Sequence, residues 1–319
     1  MPAISLSARQ KAGPQDLSSV AGERVKPAIK AILVPIAGVE EDRAHLQAAL
    51  GIARQFSAHL DVAHIRLDPA RLAAGAASAA YGSAEFVVAL YDQFEKDAQS
   101  CLAAAQATFA AFSKDEHLEL HERADRLDAV TAAWVQETGD AGECVARLGR
   151  ARDLLVVGRA GGPAGAATGT IETALMESGR PLLIVPPGIS QIVAGTVAIA
   201  WKDSAEAARA VTAAMPFLAL AERVVVIEVV EGTTADRKEG ESSERLVNGL
   251  AWHGIKAEAR LVRPGTNAAP DALLAAARDA GADLVVMGAY GHSRVREMIF
   301  GGFTRQILRA ADLPVLMFH

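Results

Sequence analysis

The chain has 319 residues, 51% of them hydrophobic and 22% charged, with a formal net charge of −6; this is the makeup of a globular α/β chain long enough for two domains. The acidic balance argues against a general binder of nucleic acid or anionic membrane, and no apolar run reaches the roughly 18 residues of a spanning helix. Its two cysteines, Cys101 and Cys144, lie far apart and on helical patterns, so buried reduced thiols are expected; the lack of a disulfide framework fits the cytoplasm.

Residues 1–27 are mixed polar, without the apolar core of a signal peptide, and read as a flexible tail. Ala31–Ile36 reads as a strand, about Glu40–Phe56 as a helix with Leu46, Leu50 and Ala53 on one side, and Leu60–Ile65 as a second strand. Asp68–Ser83 is rich in Ala, Gly and Ser and is expected to be a mobile loop or frayed helix. A long helix follows over about Ala84–Phe112, with the stripe Leu90, Phe94, Ala98, Cys101/Leu102, Ala105, Phe109. Then come a strand at Val130–Val135, a helix at Gly142–Arg150, a strand at Asp153–Gly158, a glycine-rich loop and helix, and a strand at Pro181–Pro187.

After a linker at 188–195 the order repeats. Thr196–Trp201 is a strand, and Lys202-Asp203-Ser204 opens a helix to about Leu220 with Asp203-x-x-Glu206 spaced as a capping box. Val224–Val230, Lys256–Val262, Leu284–Met287 and Pro314–Phe318 are strands, with helices over about Ser242–Trp252 and Pro270–Ala280. The halves match at their ends: Asp153-Leu-Leu-Val-Val-Gly158 with Asp283-Leu-Val-Val-Met-Gly288, and Arg180-Pro-Leu-Leu-Ile-Val185 with Leu313-Pro-Val-Leu-Met-Phe318. Strands alternating with helices imply right-handed crossovers and two parallel five-stranded sheets, each covered on both faces. Ligands of such sheets sit beyond the carboxyl ends of the strands, where the strand order reverses.

One stretch points to chemistry. Behind the buried strand at Leu284–Met287 stand Gly288, Gly291 and Gly301-Gly302, spaced G-x2-G-x9-G, and a helix begins at the second cluster. Glycine admits positive φ and close approach of a ligand to the backbone. The free N–H groups of Gly302, Phe303 and Thr304 would attract an anion. Hydrogen bonds to a charged group give roughly 1.5–3 kcal/mol each, against about 0.3–1 kcal/mol from the helix dipole, so the donors dominate. His292, Arg294, Arg296 and Arg305 bring protonatable or positive groups to the same loop.

These features resemble universal stress protein domains, over about Ala28–Pro187 and Ile192–His319, that is, a tandem of two such domains in one chain. The resemblance implies an α/β fold of two tandem, Rossmann-like, three-layer domains of the adenine nucleotide alpha hydrolase kind: residues 1–27 a tail, 28–187 the first domain, 188–195 a linker and 196–319 the second. It implies an adenine nucleotide (ATP, ADP or AMP, with or without Mg²⁺) in the C-terminal half. Met287, Gly288, Gly291, His292, Gly301, Gly302, Phe303 and Thr304 would form the phosphate and ribose side. Ala200, Trp201, Lys202, Asp203 and Ser204 would border the nucleotide at the end of the first strand, and Val262 would lie near the adenine. A cytoplasmic, nucleotide-dependent sensor or regulator in the stress response is implied, with an unidentified protein partner and, through strand five, a homodimer or a pairing of the two halves.

The sequence departs from that pattern at Gly302, where the family has Ser or Thr, and at Lys202, near its usual acid. In the first half the second glycine spacing is seven residues instead of nine, the loop lacks the basic residues, and Ala37 holds the acidic place; weak or no nucleotide binding is expected there. No G-x-G-x-x-G or G-x4-G-K-[ST] is present. His117 and His121 have metal-like spacing but no completing ligands, so an exposed charged segment is expected. A nucleotide-free interaction scaffold and a slow ATP hydrolase, with His292 as its nearby base, are the alternatives.

Overall fold

The computed structural model describes residues 29–80, 84–122, 128–159, 165–230, 240–266, 268–289 and 302–319. The first half runs β1 (Ala31–Ile36), α1 (Asp42–Phe56), β2 (His59–Arg66), α2 (Pro69–Ala80), α3 (Ala84–Asp115), β3 (Glu119–Leu120), β4 (Thr131–Thr138), α4 (Ala141–Gly149), β5 (Leu154–Gly158), α5 (Gly165–Glu177) and β6 (Leu182–Val185). The second runs β7 (Thr196–Trp201), α6 (Ala205–Leu218), β8 (Arg223–Val229), α7 (Glu241–Ala251), β9 (Ala257–Val262), α8 (Ala269–Asp279), β10 (Leu284–Gly288), α9 (Gly302–Ala310) and β11 (Val315–Phe318).

All eleven strands form one sheet, in the order β3-β4-β2-β1-β5-β6-β11-β10-β7-β8-β9. Each half is a parallel array whose order reverses beside its first strand, at β1/β5 and at β7/β10. Helices α1, α3, α6 and α7 cover one face, with Ile32, Val34, Val156, Val197, Ile199 and Val286 beneath them. Helices α4, α5, α8 and α9 cover the other, over Leu33, Leu155, Ala198, Val285 and Met317. Strands buried on both faces explain the unbroken apolar runs in the sequence.

The halves join through one antiparallel pair, β6 with β11, in the register Ile184↔Val315, Leu183↔Leu316, Leu182↔Met317. That pattern centres a pseudo-two-fold axis on Leu183 and Leu316. The fifth-strand edges are therefore paired within the chain, and their carboxyl ends point in opposite directions.

The repeated aspartates have a physical role. Asp153 Oδ2 accepts from the N–H groups of Lys30 and Ala31 at 2.8 and 3.0 Å. Asp283 Oδ2 does the same for Gly195 and Thr196 at 3.0 and 3.3 Å. In each half the fourth long strand thus fixes the start of the first.

Four expectations change. Asp68–Ser83 contains the regular helix α2, whose Ala73 and Ala77 are buried; an Ala-rich stretch gains helix once one side packs, whatever its Gly and Ser content suggests. Cys101 is exposed, while Cys144 is buried, because α3 packs closely only toward its C-terminal part, at Ala105, Phe109 and Phe112. The outer edge of the first half carries an additional two-residue strand, β3, so that half is not strictly five-stranded. Finally, α6 is capped by Ser204, not by Asp203: Ser204 Oγ accepts from the Ala207 N–H at 3.3 Å. No helix among the described residues is long and apolar enough to cross a membrane.

Candidate functional site

The candidate site lies at the carboxyl ends of the second half, beyond the neighbouring strands β7 and β10, which lead to α6 and α9 on opposite faces of the sheet. Parallel register brings the sequence-predicted residues to one edge. Ala200 pairs with Met287, Trp201 with Glu228, Val229 with Val262, and Gly288 with Phe318. Helix α9 begins at Gly302 and packs on the β10 side through Ile307 and Leu308. Gly302 is exposed, and among the described residues a Cβ there would meet nothing within 4 Å. Phe303 is half-buried, and Thr304 is buried at 5% exposure, which tucks the expected hydroxyl into the fold. Gly291, His292 and Gly301, with Arg294 and Arg296, lie outside the described residues.

Other assignments shift in role. A Cβ on Gly288 would stand 2.5 Å from Ala207 N and 2.6 Å from the Glu206 carbonyl carbon. The bare backbone there admits the first turn of α6, a packing reason for glycine at this position. Lys202 is exposed. Asp203 is also exposed, and its Oδ2 accepts from Arg245 at 3.3 Å. Ser204 is committed to its cap. Arg305, expected as a cation of the glycine loop, donates from Nε to Glu172 of α5 at 3.2 Å, across the two halves.

Three neighbours were not read from the sequence as site residues. His319 hydrogen-bonds through Nδ1 to the Ala289 carbonyl at 3.1 Å. Glu206 sits at the start of α6; its own backbone N–H and the Ser204 hydroxyl, with Arg209 and His319 nearby, hold its carboxyl below the usual range against partial burial. Glu228 ends a donor chain: the Trp201 indole N–H donates to Ser242 Oγ at 3.2 Å, and Ser242 donates to Glu228 Oε1 at 3.2 Å. A register argument across β7 and β8 could have found Glu228; contacts made through the terminal residue and a helix start leave no sequence signal.

The corresponding edge of the first half is closed by its own side chains. Asp42 is 2% exposed, and its Oδ2 accepts from the N–H groups of Ala37, Gly38 and Val39 at 3.1, 2.7 and 2.9 Å. Gly38 has φ +84°, and a Cβ there would stand 2.2 Å from the Cys101 carbonyl oxygen, so α3 crosses directly over the end of β1. At Gly158 a Cβ would collide with the His45 ring. His45 is buried with Nε2 unpartnered; burial pushes its pKa below 6.5 against the raising influence of Asp42 and Glu41. Among the described residues no group of three or more His, Cys, Asp or Glu could hold a metal. His121 pairs with Glu119 at 3.4 Å in the β3 segment, and Glu119 is exposed.

Residues 194–319 match the universal stress protein family. The universal stress protein Slr1230 of Synechocystis sp. (strain PCC 6803) is 28% identical over 189 residues, covering 58% of this chain and 64% of that protein, so the match spans less than two thirds of the relative's length. A universal stress protein from Archaeoglobus fulgidus DSM 4304 superposes with a TM-score of 0.62 at 16% identity, over 90% of this chain and 97% of its own. A second structure assigned to the universal stress proteins, from Pseudomonas aeruginosa UCBPP-PA14, gives 0.55 at 15% identity, over 91% and 93%. At such identities the likeness is one of fold, and it extends over both halves.

Proposed function

Because residues 194–319 form a universal stress protein domain, we propose that the chain binds an adenine nucleotide in this half and acts as a nucleotide-dependent regulator in the stress response. The observation that carries this reading is the exposed start of α9 at Gly302, beyond the neighbouring strands β7 and β10. Several N–H donors at one helix start, beyond the carboxyl edge of a parallel sheet, suit a phosphate. In this proposal Gly302, Phe303 and Thr304 offer their backbone donors to the phosphates, together with Gly291, His292 and Gly301. The strand ends at Ala200, Trp201, Met287 and Gly288 border the ribose. Lys202 supplies the exposed cation, and Val262 flanks the base. The same reading takes 28–187 as a diverged first domain whose strand-one edge is filled by Asp42 and His45, and 196–319 as the ligand-binding one.

A second reading, a nucleotide-free scaffold, is favoured by the ion pairs that already engage Asp203 and Arg305. To separate the two, freshly purified protein is denatured, released nucleotide is chromatographed, and ATP with Mg²⁺ is titrated calorimetrically. About one adenine nucleotide per chain, or a single saturating site, supports the first reading; no release and no heat support the scaffold. A measurable ATPase rate unchanged in His292→Ala would remove that histidine from any hydrolysis. Since the β6 and β11 edges are used within the chain, a homodimer of chains would need another surface.

A further inference from the structure

We infer that Glu228 is the ligand-contacting carboxylate of this site, accepting a hydrogen bond from a hydroxyl or amino group of the bound nucleoside. The inference rests on the nucleotide reading above, and it supplies the acid that the end of the first strand lacks. Glu228 sits in register with Trp201 on the neighbouring strand, at the carboxyl edge. It alternates with Val224 and Val226, which lie under α6 and α7, and so shares the Trp201 side of the sheet.

Its two oxygens are in different states. Oε1 receives the Ser242 hydroxyl, itself oriented by the Trp201 indole. That chain fixes the carboxylate plane and leaves Oε2 buried with no donor among the described residues. A buried acceptor in that state is costly; Asp42 Oδ2, by contrast, collects three backbone donors. Asp283 Oδ1 is also without a partner, but it precedes the first residue of β10, at the opposite edge from the site. Glu228 combines a fixed orientation, a missing donor and a place where ligands of parallel sheets lie. From β10 through β7 to β8 is two strand spacings, roughly 10 Å; Glu228 lies on the α6/α7 face and α9 on the other, so a nucleotide with its phosphates at α9 would reach Glu228 by crossing over the carboxyl ends of the strands.

The test uses the full chain and four ligands: ATP, 2′-deoxy-ATP, 3′-deoxy-ATP and purine riboside triphosphate, which lacks the amino group. Each is titrated into wild type and Glu228→Gln. In the variant the amide nitrogen takes one of the two acceptor positions, and ATP affinity is expected to fall about tenfold or more, the loss of one charge-assisted hydrogen bond. One analogue should lose as much on wild type and lose nothing further on the variant, which identifies the donor as a ribose hydroxyl or the base amino group. Equal binding of all four ligands by wild type overturns the inference even if the variant fails to fold. So does an intact variant that binds ATP like wild type; in both cases nucleotide binding itself survives. If wild type binds none of them, the nucleotide reading falls, and the role of Glu228 with it.

Discussion

The same topological point is built in two ways in this molecule. At the end of β1 the three amides of Ala37, Gly38 and Val39 converge on the chain's own Asp42, α3 crosses above, and the His45 ring lies over Gly158. At the end of β7 no such carboxylate is drawn in. Asp203 turns outward to Arg245, Ser204 caps α6, and Gly302 at the start of α9 is exposed. An amide cluster that carries its own anion has little left to offer a ligand. The difference rests on a few residues, since strand order and register are alike in both halves.

The sharpest test of that contrast is Asp42→Ala set against Asp203→Ala. The first strips three part-buried amides of their shared carboxylate acceptor and is expected to cost about 1.5–3 kcal/mol, the usual value of hydrogen bonds to a charged group; the second, an exposed ion pair, should cost roughly 0–1 kcal/mol. Urea midpoints measure both, and equal losses would mean that the two turns are not built differently.

Two glycine substitutions follow in size. Gly288→Ala drives a Cβ into the α6 backbone and should cost about 2–3 kcal/mol, as overpacking that only a helix shift relieves. Gly158→Ala meets only the His45 side chain, so it should cost about 1–2 kcal/mol. Pairing it with His45→Ala should recover part of the loss, read from thermal melts.

His45 also gives the first half a pH response. Its folded pKa lies below its unfolded value, so the unfolded chain binds the proton more readily. Stability from the neutral ring is present above about pH 6.5 and is lost as pH falls toward the depressed value. His45→Gln should flatten the fall of the melting temperature as pH drops below about 6.5. An unchanged slope would show that other groups govern it.

The smallest effect concerns how the halves recognise each other. Amides that close α5 and α9 fall at Ser178 and Ala311, and Glu172 and Arg305 each stand six residues before them. They are the same position of the two copies, bearing opposite charges, and they meet at 3.2 Å. Two copies of one half would place like charges there. Arg305 is 42% exposed in its side chain, so Arg305→Ala should cost only about 0.5–1 kcal/mol, and Glu172→Ala should cost less in that background than alone. A double-mutant cycle on melting temperatures reads the coupling.

The layered repeat is legible in the chain alone. Apolar runs such as Leu154–Val157 and Leu284–Met287 mark strands buried on two faces, the intervening 3.6-residue periods mark helices, and the parallel order followed, because these patterns depend only on near neighbours in the chain. The sequence also indicated the edge where Trp201, Met287 and Gly288 meet and the residue at which α9 begins. Only the tertiary structure decided what occupies each edge. That Asp42 closes the first turn, that Gly288 serves a helix, that Arg305 belongs to Glu172 and that Glu228 keeps an unmet oxygen are consequences of register across strands and of packing between helices far apart in the chain. No local period records such distances, because they are set by the sheet as a whole.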